Sequence, residues 1–150
     1  MDATDSKLLS LLQKDARMAN AQLAEQLNIS ASACWRRVRA LEDAGVIERY
    51  GAIVNPQALG LTFEAIVQID LLRHDADALA GFIEAVQRRP EVTECFATTG
   101  QADYHMRVLC RDIDAYNRFL EQFLFKQPVV RSAQTHVVLK RIKANAPVGQ

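Results

Sequence analysis

The second half of the chain carries the same order of apolar patterns twice, and this repeat restricts its possible folds more than any other feature. Each round has a segment of alternating apolar and polar residues, a segment with apolar residues at helical spacing, and a second alternating segment. The two helical segments end alike, in the basic and proline-containing turns 88–90 and 126–128. The order predicts a strand–helix–strand unit that occurs twice, first over residues 63–98 and again from residue 104 onward.

Two such units, each with a right-handed crossover, place both helices on one face of a four-stranded sheet. We therefore expect a ferredoxin-like βαββαβ domain. The first-strand residues that should face the helices are Phe63, Ala65, Val67, Ile69 and Leu71. The opposite face would remain uncovered, and it would include Ile66, Leu72 and Leu109. Because an exposed apolar sheet face usually marks an association surface, we expect at least a homodimer.

Both helical segments of the repeat have acidic residues at their starts, where a helix favours them. The first follows Asp75 and Asp77, and the second is capped by Asp112 or Asp114. The apolar residues that the first helix should bury are Leu79, Phe82, Ile83 and Val86. The corresponding residues of the second helix are Tyr116, Phe119, Leu120 and Phe123.

The first 45 residues instead show three short helical stretches joined by tight turns. Asp5 is a suitable N-cap for a helix over about residues 5–15, and Asn20 can cap a second helix. Ser30 or Ser32 starts a third helix, which ends at Gly45. Three short helices with these turns indicate a helix-turn-helix arrangement.

Residues 46–55 read as a short extended hairpin after the third helix. The chain should therefore divide into a helix-turn-helix domain with its hairpin at 1–54, a linker at 55–62 and a second domain at 63–150. The overall fold class is α+β.

Helical geometry fixes which side of the third helix faces outward. At about 100° per residue, Cys34, Val38 and Leu41 form one buried stripe. Ser32, Trp35, Arg36 and Arg39 lie on the other side, whereas Arg37 flanks the buried stripe. The residues that we expect to bind DNA are Ser30, Ser32, Trp35, Arg36, Arg37 and Arg39. Arginine can grip guanine with two parallel hydrogen bonds or bind a phosphate. An ordinary solvated basic face is the alternative, and the Trp35 indole can either contact DNA or cover the adjoining helix.

Composition excludes several classes of protein. Apolar residues make up 49% of the chain, and its 18 basic and 18 acidic residues give zero net charge, which argues against unspecific coating of nucleic acid. No apolar run is long enough to span a membrane and no signal peptide is evident, so we expect a cytoplasmic protein without membrane contact. Its thiols at Cys34, Cys95 and Cys110 should be reduced.

The sequence shows no pattern that predicts a catalytic or metal centre. His74, His105 and His136 are 31 residues apart and have no second ligand at metal spacing. The GxSxG and HExxH motifs are absent as well. We therefore expect no catalytic residue, no bound metal and no cofactor.

Several stretches resemble the Lrp/AsnC (feast/famine) transcription regulators. They are DSKLLSLLQKDAR at 5–17, LAE at 23–25, SASACWRRVR at 30–39, LEDAGVI at 41–47 and GQADY at 100–104. The resemblance implies an N-terminal winged helix-turn-helix and a C-terminal βαββαβ domain of the RAM, ACT-like type. It also implies a regulator that binds double-stranded operator DNA, responds to a small effector, usually an amino acid, and assembles from homodimers into tetramers or octamers.

Within this resemblance, the turn at 100–104 is similar to the effector loop of the family. Gly100 permits close backbone approach, turn N–H groups can receive a carboxylate, and Asp103 can bind an ammonium group. The effector-binding residues that we expect are Thr98, Thr99, Gly100, Gln101, Ala102, Asp103, Tyr104, His136 and Val137. A plain β-turn in which Asp103 caps its own backbone is the alternative for the loop. The alternative for the whole chain is a sirohaem decarboxylase-like enzyme of haem biosynthesis, because those enzymes share this architecture.

Overall fold

The computed structural model describes residues 1–72 and 76–149. Its chain forms two compact units. The first comprises Met1–Ile53 together with the chain from Ile142 onward, and the second comprises Val54–Arg141. The first unit is helical, whereas the second contains the sheet. Among the described residues, no helix combines the length and the apolar character needed to cross a membrane.

The first helix of the N-terminal unit, α1 (Ala3–Lys14), begins earlier than predicted. Its N-cap is Asp2, whose carboxylate accepts a hydrogen bond from the Asp5 backbone N–H at 2.9 Å. The Asp5 carboxylate in turn accepts one from the Asp2 backbone N–H at 2.9 Å. The prediction of Asp5 as the cap is wrong, because Asp5 is instead the third helical residue of a reciprocal capping box.

The other two helices begin close to their predicted starts. Helix α2 spans Asn20–Leu27 and helix α3 spans Ala31–Asp43. Asn20 is the first residue of α2 rather than its cap, and its side chain donates to the Ala31 carbonyl at 2.8 Å. Ser30, not Ser32, caps α3 by accepting a hydrogen bond from a backbone N–H at 3.2 Å. Gly45 ends the helix with a φ of +68°, a conformation that glycine adopts without strain.

The three helices enclose a small apolar core. Its buried members are Leu8, Leu12, Leu23, Ala24, Cys34 and Leu41. Val38 packs against this cluster, so the predicted buried stripe of α3 is confirmed. Because one side of α3 is occupied in this way, its opposite side is directed away from the core.

The predicted hairpin at 46–55 is wrong, because this segment, all of which the structure describes, forms no β-ladder. Its residues bind the helices instead. The Ile47 side chain packs on the helical core, and its N–H donates to the Leu41 carbonyl at 3.1 Å. The Tyr50 hydroxyl donates to Glu42 of α3 at 2.9 Å. An isolated two-stranded hairpin is only marginally stable in water. The segment therefore contacts the helices and does not form a hairpin.

The second unit has the predicted βαββαβ order. Its elements are β1 (Phe63–Leu71), α4 (Ala76–Gln87), β2 (Val92–Ala97), β3 (Tyr104–Cys110), α5 (Ile113–Gln122) and β4 (Val130–Val137). The strands lie in the order β2-β3-β1-β4, and all neighbours are antiparallel. Asp112 rather than Asp114 caps α5, since its carboxylate accepts from a backbone N–H at 2.7 Å. Asp75, predicted at the start of α4, lies outside the described residues.

The core of this unit lies between the sheet and both helices. Ala65, Val67 and Ile69 of β1 are fully buried, as the alternation predicted. They pack in one cluster with Phe82 of α4 and Phe119 of α5. The prediction for Ile83 is wrong: it is 38% exposed, because the buried stripe of α4 is narrower than the sequence spacing indicated.

Within the described part of the second unit, α4 and α5 leave the opposite sheet face uncovered. Ile66 and Leu109 lie on it half-buried, whereas Leu72 follows β1 and is exposed. Charged residues share this face, where Glu64 accepts a hydrogen bond from Arg107 at 2.6 Å. The surface is therefore mixed in character rather than purely apolar.

Candidate nucleic-acid interface and effector loop

The outward side of α3 presents an aromatic ring and basic groups. The Trp35 side chain is 55% exposed, and Arg36 and Arg39 are exposed as well. Cys34, which precedes Trp35 and points about 100° away from it around the helix, is fully buried in the helical core. Such an exposed second helix after a short turn has the shape that can enter a major groove.

The three arginines of α3 differ in their contacts. Arg37 donates from Nη1 to Asp2 at 2.8 Å and to Asp5 at 2.7 Å. The hydrogen bond that Arg37 donates to Asp5, and after it the one to Asp2, raise the pKa of Arg37. Arg36, by contrast, forms no ion pair with any residue in the described part of the chain. Its exposed guanidinium is therefore not engaged by a carboxylate of the described residues.

Arg39 belongs to a connected group on the same helix. Its Nη1 donates to Glu42 Oε2 at 3.0 Å, and its guanidinium carbon lies 5.8 Å from the centre of the Trp35 ring. Glu42 Oε1 accepts a second hydrogen bond, from the Tyr50 hydroxyl. The hydrogen bond from Arg39, and to a smaller extent the one from Tyr50, lower the pKa of Glu42. The carboxylate is therefore ionised near neutral pH.

The two serines at the start of α3 have separate positions. Ser30 caps the helix, and its Oγ lies 3.2 Å from the Oγ of Ser32. Ser32 is exposed within the first turn. Ser30 therefore stabilises the start of α3, whereas Ser32 is exposed to solvent.

The predicted effector loop connects β2 to β3 and is closed at its base by Thr98. The Thr98 N–H donates to the Asp103 carbonyl at 2.9 Å, and its hydroxyl donates to the Ala102 carbonyl at 3.2 Å. The hydroxyl also lies 2.9 Å from His105 Nδ1. Gly100 has a φ of +117° at the turn, a conformation that strongly favours glycine.

Asp103 attaches this loop to the end of β1. Its Oδ2 accepts a hydrogen bond from the Leu71 N–H at 2.8 Å, and its own N–H donates to the Ile69 carbonyl at 3.0 Å. The carboxylate thus binds the neighbouring strand β1.

The remaining predicted effector residues fall into two groups. Thr99 and Gln101 are exposed in the loop, whereas Ala102 is buried and the Tyr104 ring packs edge-on against Phe82. His136 and Val137 instead pair with Ile66 and Ala65 at the far end of β1. Five residues separate Ile66 from Leu71, which is about 16 Å along a strand. One chain therefore does not bring His136 and Val137 together with the loop.

Two contacts near these sites were not predicted. The ion pair between Arg39 and Glu42 has a local signal, since opposite charges three residues apart meet on a helix. The contact of Thr98 with His105 depends on the pairing of β2 with β3, which the sequence pattern did not fix in register. Across the described residues, no three His, Cys, Asp or Glu side chains cluster as metal ligands, and His74 lies outside them.

Both parts of the chain match known protein families. Residues 1–48 match a winged helix-turn-helix DNA-binding domain, and residues 64–148 match the Lrp/AsnC ligand binding domain. The chain belongs to the Lrp/AsnC family. The resemblance proposed from the sequence is thus confirmed, as is the α+β fold class.

Relatives in the Lrp/AsnC family cover nearly the whole chain. The transcriptional regulatory protein DoeX of Halomonas elongata is 41% identical over 143 residues, 95% of this chain and 90% of that protein. The leucine-responsive regulatory protein of Escherichia coli K12 is 35% identical and covers 95% of this chain and 87% of its own. A Neisseria meningitidis transcriptional regulator, solved as a complex with L-Met, is 35% identical with a TM-score of 0.95, covering 99% and 96% of the two chains.

These similarities establish the general activity of this Lrp/AsnC chain. It is a transcriptional regulator with a helix-turn-helix for DNA and a ligand-binding domain. Its relatives are regulators and not enzymes, so the decarboxylase alternative is set aside.

Proposed function

We propose that the exposed side of α3 reads operator DNA and that an amino acid bound at the 98–104 loop modulates this binding. The observation that carries the proposal is the outward position of Trp35, Arg36 and Arg39, with Arg36 free of ion pairs among the described residues. An unpaired guanidinium can bind guanine O6 and N7 together, which contributes about 1–3 kcal/mol of base discrimination.

The contacts within the protein separate the six predicted DNA-binding residues into a base-reading group and a positioning group. Ser32, Trp35, Arg36 and Arg39 are the ones we assign to base edges and nearby sugars. Ser30 starts the helix, and Arg37 holds α3 to α1 through Asp2 and Asp5. We assign these two to positioning, with phosphate as their only further partner.

Binding to an operator calls for more than one copy of the chain. A homodimer presents two recognition helices to half-sites about 34–36 Å apart, and a tetramer or octamer engages several such sites. The uncovered sheet face supports this assembly, since Phe96 on β2 is 56% exposed there in addition to Ile66 and Leu109.

The loop chemistry supports an amino acid as the effector. Its turn offers backbone N–H groups for a carboxylate and Asp103 for an ammonium group. A neighbour in fold was solved with L-Met, and relatives are named for leucine, which supports the same ligand class. Because His136 and Val137 pair with the end of β1 opposite to the one that Asp103 contacts, we place them in the same pocket as the loop only across two copies.

Such a pocket between copies explains how the effector acts on DNA binding. A ligand that prefers one assembly over another shifts the population toward that assembly. Couplings of about 1–3 kcal/mol are typical, and several linked DNA contacts amplify them.

The DNA proposal is tested by selecting a duplex from a random library with the wild-type protein and titrating it with variants. Arg36→Ala combined with Arg39→Ala should abolish preference for the selected duplex. Arg111→Ala combined with Arg118→Ala removes the same charge from the other unit and should leave the preference intact. Equal affinities of the two double variants for the selected duplex would contradict the proposal.

The effector proposal is tested by thermal denaturation in the presence of each of the twenty amino acids. At least one should raise the melting temperature and change the affinity for the selected duplex. If none of the twenty does so, the amino-acid assignment is wrong.

A further inference from the structure

We propose that Glu42 sets the specificity of the DNA interface by restraining Arg39, an inference that rests on the proposed role of α3. Both oxygens of its carboxylate are engaged on the protein surface: Oε2 accepts from Arg39 at 3.0 Å and Oε1 accepts from Tyr50 at 2.9 Å. Glu42 thus joins a candidate base-reading residue to the segment that follows the helix.

The restraint fixes the direction of the Arg39 guanidinium. Its Nη1 is held by Glu42, and its plane lies near the Trp35 ring, with the guanidinium carbon 5.8 Å from the ring centre. A guanidinium has five N–H donors, and the bond to Glu42 uses one of them. The other donors remain available to DNA, since the Arg39 side chain is 59% exposed. A guanidinium held in this way loses less rotational freedom when it meets a base.

The same carboxylate opposes unspecific binding. Affinity for arbitrary DNA comes from basic groups that neutralise phosphates. Glu42 competes with phosphates for Arg39 and repels them by its own charge. At a matching base, the remaining donors of Arg39 form hydrogen bonds in fixed directions. Binding to a phosphate depends mainly on charge and does not require these directions. The restraint therefore lowers affinity for wrong sequences more than affinity for the right one.

Tyr50 keeps the carboxylate in place. Its hydroxyl comes from the segment after Gly45, so the position of Glu42 is set from two sides, by the helix and by this segment. Loss of the hydroxyl should loosen Glu42 without removing its charge.

The test compares Glu42→Gln with the wild-type protein, and Asp43→Asn serves as the matched control. Asp43 is the next residue of α3 and is exposed, and its change removes the same charge without touching Arg39. The probes are the duplex selected by the wild-type protein and a scrambled duplex of the same length and composition. Fluorescence anisotropy measures both affinities over a series of KCl concentrations.

Glu42→Gln should bind the scrambled duplex about two- to fivefold more tightly, as expected for one released surface ion pair. Its plot of log affinity against log salt should steepen by about 0.9, because one more phosphate is neutralised. The ratio of selected to scrambled affinity should fall by about the same two- to fivefold factor. Asp43→Asn should change neither that ratio nor the relative slope.

A ratio and salt slope for Glu42→Gln equal to those of Asp43→Asn would overturn the inference. Tyr50→Phe is a second variant, which should shift the ratio in the same direction by a smaller factor, and an unchanged ratio there also counts against it. If the wild-type protein itself does not distinguish the two duplexes, the proposed DNA interface fails, and the role of Glu42 falls with it.

Discussion

The Arg37 guanidinium donates to the Asp5 carboxylate at 2.7 Å and thereby ties α3 to the first turn of α1. The same Nη1 reaches Asp2, the N-cap of that helix. The contact joins the capping box to the helix that we assign to DNA. Loss of the negative charge of Asp2 or Asp5 should therefore lower the stability of the N-terminal unit.

Acid should weaken this contact in a defined direction. The pKa of Asp2 is lowered mainly by the hydrogen bond from the Asp5 N–H, and that of Asp5 mainly by the one from the Asp2 N–H, with Arg37 adding to both. Groups with a depressed folded pKa stabilise the fold above their unfolded pKa, about 3.9, and lose that contribution as pH falls through the folded value.

The N-terminal unit should therefore lose stability below about pH 4. Fluorescence of Trp35, the only tryptophan of the chain, reports its unfolding. The double change Asp2→Asn with Asp5→Asn should flatten the acid dependence. If the stability of the wild type and of the double variant changes equally between pH 5 and pH 2, the capping box does not cause the acid dependence.

Replacement of Asp103 by asparagine separates its two roles. The asparagine oxygen can still accept the Leu71 hydrogen bond, whereas the negative charge for an ammonium group is lost. Effector affinity should fall about tenfold or more, since a hydrogen bond to a charged group contributes ~1.5–3 kcal/mol. Thermal denaturation over a range of effector concentrations measures this. Asp114→Asn is the control, and an Asp103→Asn protein that responds like it would exclude the ammonium contact.

Thr98→Val tests whether closure of the loop matters for the effector. Valine keeps the shape of threonine but removes the hydroxyl that donates to the Ala102 carbonyl and contacts His105. Stability should decrease by about 1 kcal/mol, and effector affinity should fall as the loop loosens. Denaturant unfolding and effector titration measure the two effects. Unchanged effector affinity at reduced stability would show that Thr98 only supports the fold.

The C-terminal residues pack with the helical unit through Gln13. Its carboxamide donates to the Val148 carbonyl at 3.0 Å and accepts from the Val148 N–H at 2.7 Å. Gln13→Ala should accelerate hydrogen exchange of the Val148 amide, whereas Gln13→Glu should retain protection, because a carboxylate still accepts that hydrogen bond. Equal exchange rates in both variants would mean that Gln13 does not hold this segment.

Local patterns predicted the elements that depend on neighbouring residues. The alternation from Phe63 to Leu71 specified both the strand and its buried side, and Ser30 was among the two predicted starts of α3. These features follow from side-chain periodicity and backbone capping, which lie within a few residues. The repeat and the crossover rule then supplied the sheet topology.

Contacts between distant residues could not be predicted in this way. The segment 46–55 was predicted as a hairpin because nothing local indicates that Tyr50 binds Glu42. The pairing of Gln13 with Val148 spans 135 residues. The separation of His136 from the loop depends on strand register, which fixes the end of β1 that each residue occupies.

The most direct test of the central claim is a repeat of the DNA selection with Arg36→Ala. If Arg36 reads a guanine, the variant should lose the preference for guanine at one position of each half-site, at a cost of about 1–3 kcal/mol, and keep the others. Arg37→Ala, which removes a guanidinium already bound to carboxylates, should select the wild-type sequence. An Arg36→Ala protein that selects the same sequence as the wild type would contradict the assignment of α3 as the base-reading helix.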